Sequence, residues 1–284
     1  VGQRILGAVI LAAGVLYGAA ILIIAYRDRA ARPDGRGSLP LTAALEAAVY
    51  FCASVGISDY LLNTLVAKRL RLTDDKTLPG TLVACGLTPG AVIAFSLLRS
   101  ENPVDLMTVV LCGALAVLGS VTGARLVSRF DGAVVKTVMK AALVVSFLVL
   151  IAKMILSAGR TGTAVGLTSW KLILAAALCF ATALLNMFGI PMKPTWTALF
   201  LVLGLSPLAT LTMVLVLGAL CPLSGGAEVL RRGNYSRRLA ACAVTGGAAG
   251  AVLGALLAVS LPPSLLNIIL LAVMLLAIIT MFRR

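Results

Sequence analysis

Apolar residues run along this chain in blocks of roughly 18 to 25, the length at which a helix rising ~1.5 Å per residue crosses ~30 Å of hydrocarbon. The first block, Gln3 to Tyr26, predicts a spanning helix, and further spans are expected at about 79–98, 106–127, 134–156, 207–225, 239–260 and 264–282. No small-residue cleavage site followed by a soluble domain comes after the first block, so a retained helix is expected there instead of a signal peptide. Two segments break the pattern. Residues 41–67 are interrupted at Gly56, Ile57, Ser58 and Asp59, and residues 171–203 at Gly189 to Pro194, each with polar or helix-stopping residues at mid-depth.

The breaks belong to an internal repeat. An offset of 133 lays Gly56-Ile57 on Gly189-Ile190, Leu72-Thr73 on Leu205-Ser206 and Pro89 on Pro222; an offset of 131 lays Gly119–Ala124 on Gly250–Ala255. Each half reads as one broken segment followed by three spans. The glycine faces of Gly119/Gly123 and Gly246/Gly250/Gly254 recur at the same place in both halves, which favours packing within the bundle over dimerisation, although a homodimer stays open.

Composition sharpens the class. Of 284 residues 61% are hydrophobic and 12% charged, and the mean hydropathy is +1.08, against about a quarter charged in an ordinary soluble domain. The net charge of +14 is confined to loops between apolar runs, which points to membrane orientation and away from nucleic acid. If the broken segments are re-entrant, seventeen Lys and Arg, lying within 27–36, 68–76, 125–136, 231–238 and 283–284, fall on one side; Arg4, Arg99, Lys153, Arg160 and Lys171 fall on the other. The positive-inside rule then places the C-terminus in the cytoplasm and inverts the two halves. The expectation is an all-α polytopic inner-membrane protein. It holds an N-terminal helix and basic loop (1–40), two inverted repeats (41–156 and 171–284) of one re-entrant hairpin plus three transmembrane helices each, and a linker (157–170).

The absence of histidine removes the commonest nucleophile-base pairs and metal sites, so an enzyme is not expected, nor a metal or cofactor. The six cysteines lie inside apolar runs without a CxxC pair and read as small buried thiols. A helix that begins inside a membrane points unpaired N–H groups and a positive dipole end at the centre, which suits an anion. Candidate substrate contacts are Ser58, Asp59, Asn63 and Thr64 at the first break, and Gly189, Lys193, Thr195 and Thr197 at the second. A duller role is open for each: the hydroxyls and Asn63 as helix bridges, Lys193 and Asp59 as a structural ion pair. Asp59 is the candidate proton carrier, trading a proton against substrate, because hydrocarbon disfavours an ionised carboxylate. Glu46, early in the first entering arm, is expected to snorkel to the headgroups.

The stretches Leu203–Pro207, Ala209–Met213, Arg232–Leu239, Gly250–Ala258 and Leu261–Leu266 resemble the C-terminal half of the TauE/SafE sulfite exporter family, with weaker echoes at Pro79–Thr81 and Gly119–Leu126. The family's N-terminal GxGGG signature is absent, and Gly56–Thr64 stands in its place. The resemblance implies a transporter of a small anion such as sulfite, a sulfonate or another small organic acid, working by alternating access around a midplane site. An anion channel, and a non-transport membrane subunit or enzyme, are the alternatives.

Overall fold

A computed structural model of the protein describes residues 2–27, 38–57, 59–69, 71–73, 77–99, 104–126, 162–186, 192–233, 235–262 and 265. The expected span 134–156, the expected span 264–282 apart from Leu265, and the candidate residues Ser58 and Gly189 lie outside them. The described residues are helical, with a single bridge between Ala164 and Leu205 in place of any strand. In order they form α1 (Gly2–Arg27), α2 (Leu39–Ser54), α3 (Asp59–Arg69), α4 (Leu78–Arg99), α5 (Leu106–Leu126), α6 (Ser169–Asn186), α7 (Met192–Leu203), α8 (Pro207–Arg232) and α9 (Arg237–Cys242), which continues through a π turn (Ala243–Gly247) into α10 (Ala248–Ser260). Five stretches among them are long and apolar enough to cross a membrane: α1, Gly80–Arg99, Leu106–Gly123, Pro207–Ala227 and Arg237–Ser260. α2 and α6 are apolar but shorter.

Both expected breaks are breaks in the helix. α2 stops at Gly56, whose φ of 99° is left-handed backbone that a side chain would strain. Gly56 N–H donates to the Ala53 carbonyl at 3.0 Å and Ile57 N–H to the Cys52 carbonyl at 3.2 Å, the double bond of a Schellman stop. α7 ends the same way at Gly204, with Gly204 N–H to Leu201 O at 3.1 Å and Leu205 N–H to Phe200 O at 3.1 Å. α3 ends with Arg71 at φ 51° and Leu72 N–H donating to Ala67 O at 2.9 Å. Local structure therefore repeats at the sequence offset. α3 and α7 start 133 residues apart, Leu72 and Leu205 make equivalent bonds 133 apart, and α4 and α8 end 133 apart at Arg99 and Arg232. α5 and α9 start 131 apart behind the caps Asp105 and Ser236, which accept from the N–H of Thr108 at 2.9 Å and of Leu239 at 3.4 Å.

α8 runs seven residues beyond the apolar block expected to end at 225, because its sequence stays helix-favouring through Ala227, Leu230 and Arg231 until Gly233, at φ 66°, stops it. Pro89 and Pro222 lie inside α4 and α8 without ending either helix.

The chain divides into two compact units. The first comprises Val1–Ser100 with Pro222–Ser260, the second Glu101–Cys221 with Leu261–Arg284. In the first, α1 lies along α4. Gly14 sits against Ala91, the Thr88 hydroxyl donates to the Gly14 carbonyl at 2.9 Å, and Tyr17 donates to the Leu223 carbonyl at 3.2 Å. α10 packs on α2, with Gly250 against the Ala47 carbonyl and Gly254 against that of Phe51; any side chain there would strike backbone. In the second unit α5 packs on α6 the same way, Gly119 against the Phe180 carbonyl and Gly123 against that of Leu184. The glycine faces are thus consumed within the chain.

Candidate functional site

The first unit buries a polar cluster at its helix break. Glu46 and Tyr50 stand one turn apart on α2, both with no exposure, and Asn63 on α3 is 1% exposed. With its amide nitrogen toward α2, Asn63 donates to the two Glu46 carboxylate oxygens at 2.8 and 3.1 Å while its oxygen accepts from the Tyr50 hydroxyl at 3.3 Å. Asp59, the first residue of α3, is partly buried and close enough for its charge to act on both Glu46 and Tyr50. Its carboxylate lies near Gly86 of α4. The Cys85 thiol, also on α4 and fully buried, feels the Glu46 and Asp59 charges. The π turn makes room for this cluster: a Cβ on Gly247 would meet the Tyr50 ring at 2.7 Å and Pro89 at 3.0 Å.

Glu46 corrects the sequence expectation. A carboxylate early in an apolar arm was expected to reach for the headgroups, but helical spacing sets Glu46 on the face shared with Tyr50, turned toward α3, where Asn63 supplies the bond that headgroup water would otherwise give. The available signal was the pair at i and i+4 in an otherwise apolar helix, followed across a break by an Asn.

The second unit places Lys193, Thr195 and Thr197 in the first two turns of α7. Lys193 is partly buried, its Cε packed at 3.0 Å from where a Cβ of Gly218 would lie, so the absence of a side chain at 218 gives the lysine stem its path. Thr195 is buried and its hydroxyl has no hydrogen-bond partner, as also for Thr210 and Thr212 on α8. Thr197 donates to the Lys193 carbonyl at 2.9 Å, and Thr64 in the first unit donates to that of Tyr60 at 2.6 Å, again 133 residues away. These two threonines bond within their own helices, not across helices. Behind them Trp196, fully buried, donates to the Thr182 hydroxyl at 2.6 Å, and the thiols of Cys112 on α5 and Cys179 on α6 come within hydrogen-bond reach. All six cysteines are free.

Of the candidate residues, then, Asp59, Asn63 and Thr64 gather on α3 in the first unit and Lys193, Thr195 and Thr197 on α7 in the second. Each helix begins at a break in an apolar segment, so its first N–H groups have no partner within the helix. That arrangement can hold a small anion.

No curated protein and no solved structure matches the sequence significantly. The description Sulfite exporter TauE/SafE matches residues 61–281, covering α3 onward and leaving α1 and α2 outside. With most of its length matched, and with helices suited to crossing a bilayer, the chain belongs to the TauE/SafE sulfite exporter family of membrane transporters.

Proposed function

We propose that the protein carries a small anion such as sulfite, a sulfonate or another small organic acid across the inner membrane by alternating access. In this reading the two halves are inverted repeats, the breaks are re-entrant hairpins, and the C-terminus is cytoplasmic. The observation that carries it is the pair of helix starts at Asp59 and Met192, 133 residues apart, each inside an apolar segment and each followed by the same Thr-to-carbonyl bond and a left-handed stop. Helix starts within a membrane, repeated in two halves of a chain, supply two sets of anion-seeking N–H groups. Ser58, Asp59, Asn63 and Thr64 line the first and Gly189, Lys193, Thr195 and Thr197 the second. The Lys193 ammonium adds a point charge to backbone dipoles.

Uptake into proteoliposomes, measured for sulfite, thiosulfate, methanesulfonate and small carboxylates, tests the reading. Saturable uptake of at least one, with counterflow of labelled against unlabelled anion, is expected of a carrier. Conductance that neither saturates nor shows counterflow would replace the carrier by a channel, and no flux of any of them would remove the anion reading.

A further inference from the structure

We propose that Glu46 is the proton carrier of this transporter, with the Asn63 amide as the two-position element that reports its protonation to both arms of the first broken helix. The proposal rests on the anion-transport reading above and replaces Asp59 in the coupling role.

Its basis is the geometry around Asn63. Turned one way, the amide gives Nδ2 to the Glu46 carboxylate at 2.8 and 3.1 Å and receives the Tyr50 hydroxyl at Oδ1, 3.3 Å away. Turned the other way, Nδ2 donates to the Tyr50 oxygen at 3.3 Å and Oδ1 faces Glu46. An ionised carboxylate only accepts hydrogen bonds, so it satisfies the first orientation alone; a protonated one donates and satisfies the second. Both states of Glu46 thus find a fully bonded partner by one rotation of one amide. Glu46 and Tyr50 belong to α2 and Asn63 to α3, so the rotation is felt on either side of the break.

The surroundings set the sign of the coupling. The groups facing Glu46 are Tyr50 on its own helix, Asp59 and Asn63 on α3, Cys85 on α4 and Cys242 on α9, the last also under the influence of Arg238. Among the described residues no Lys or Arg pairs with Glu46, while a second carboxylate, Asp59, lies nearby. An ionised, unpaired carboxylate in such an interior costs several kcal/mol, and a proton removes that cost. An anion arriving at the start of α3 adds negative charge to the same cluster and so favours the proton further. Linkage is reciprocal, so proton and anion bind together and travel in the same direction, one proton held on Glu46 as one anion is held, with no bond made or broken in the cargo. This reverses the exchange of proton against substrate expected for Asp59.

Infrared spectroscopy of the purified protein reads the proton directly. The wild type is expected to show the carbonyl stretch of a protonated carboxyl at neutral pH, Glu46→Gln to lose it, and Asp59→Asn to keep it; persistence of the band in Glu46→Gln, or its loss in Asp59→Asn, would overturn the assignment. In weakly buffered solution, thiosulfate, whose charge is constant over the range used, should draw about one proton onto the wild-type protein for each anion bound. The uptake should vanish in Glu46→Gln and survive in Glu46→Asp, which keeps a carboxyl and serves as the folded comparison. Proton release in place of uptake would overturn the coupling. A wild-type protein that binds none of the four anion classes would bring down the transport reading and the coupling with it, while the infrared band separately decides where the proton sits.

Discussion

The two helix breaks share a backbone and differ in almost every side chain that matters. Superimposed by the offset of 133, Glu46 falls on Cys179, Tyr50 on Ala183, Tyr60 on Lys193 and Asn63 on Trp196. The first unit therefore buries carboxylate, phenol and amide where the second buries thiol, methyl and indole, and the second carries its charge as an ammonium on α7. What survives in both is the frame: the start of the returning helix, the Thr64 or Thr197 hydroxyl tied to its own helix, the left-handed stop and the glycine-bearing helix against the entering arm. The lesson is a division of labour between repeats. Backbone geometry is held in common and supplies anion-seeking N–H groups twice, while titratable chemistry is loaded on one side and fixed positive charge on the other.

The largest effect tests whether the halves are inverted at all. Arg99 and Arg232 are equivalent helix ends, both exposed. Cysteines placed at the two should label with an impermeant maleimide from opposite faces of oriented vesicles, an all-or-none difference, with position 232 reached from the cytoplasmic face. Labelling from one face would leave the repeat intact but make it parallel. The next effect sharpens the charge asymmetry. Replacing Lys193 by Met or Gln should weaken thiosulfate binding by about tenfold to a hundredfold, the cost of a lost charge-assisted contact, and Lys193→Arg should fall between, since its fork is wider. Titration calorimetry decides it, and unaltered affinity in Lys193→Met would leave only backbone groups as ligands. The smallest effect concerns the caps. Asp105→Ala and Ser236→Ala should each lower stability by about 1 kcal/mol at neutral pH. They should part company in acid. Hydrogen bonds from the Thr108 hydroxyl, then from the N–H groups of Thr108 and Met107, hold the mostly exposed Asp105 carboxyl below its ordinary value. A group lowered on folding stabilises above its unfolded pKa and loses that contribution as pH falls through the folded one. Thermal melts should show the Asp105 deficit fading under acid while the Ser236 deficit persists.

Much of the frame was legible in the sequence because it is written in features that act locally. Apolar run length announced the spans, Gly56 and the Gly189–Pro194 stretch announced the breaks, and the repeated glycines announced the close packing. Side-chain partners were less legible. Glu46 looked like a headgroup residue because nothing near it in sequence shows that Asn63, across a break, will turn back and meet it. The π turn was equally hidden: Ala243–Gly247 is apolar and helix-compatible, and only the Tyr50 ring pressed against Gly247 accounts for the extra backbone turn. The helix end at Arg232 was missed since hydropathy reports where a helix is greasy, while propensity and a glycine stop decide where it ends.

The packing of α10 on α2 and of α5 on α6 means that each half lends its glycine-bearing helix to the broken segment of the other. During synthesis this becomes a waiting time. Ala47 leaves the ribosome about 200 residues before Gly250, so at roughly 5–20 residues per second α2 spends on the order of ten to forty seconds without its partner. α6 never waits, because α5 precedes it. The first hairpin, with its buried Glu46, is thus the part of the nascent protein most dependent on temporary shelter, and chaperone-like insertion factors should be found crosslinked to α2 long after α5 and α6 have paired.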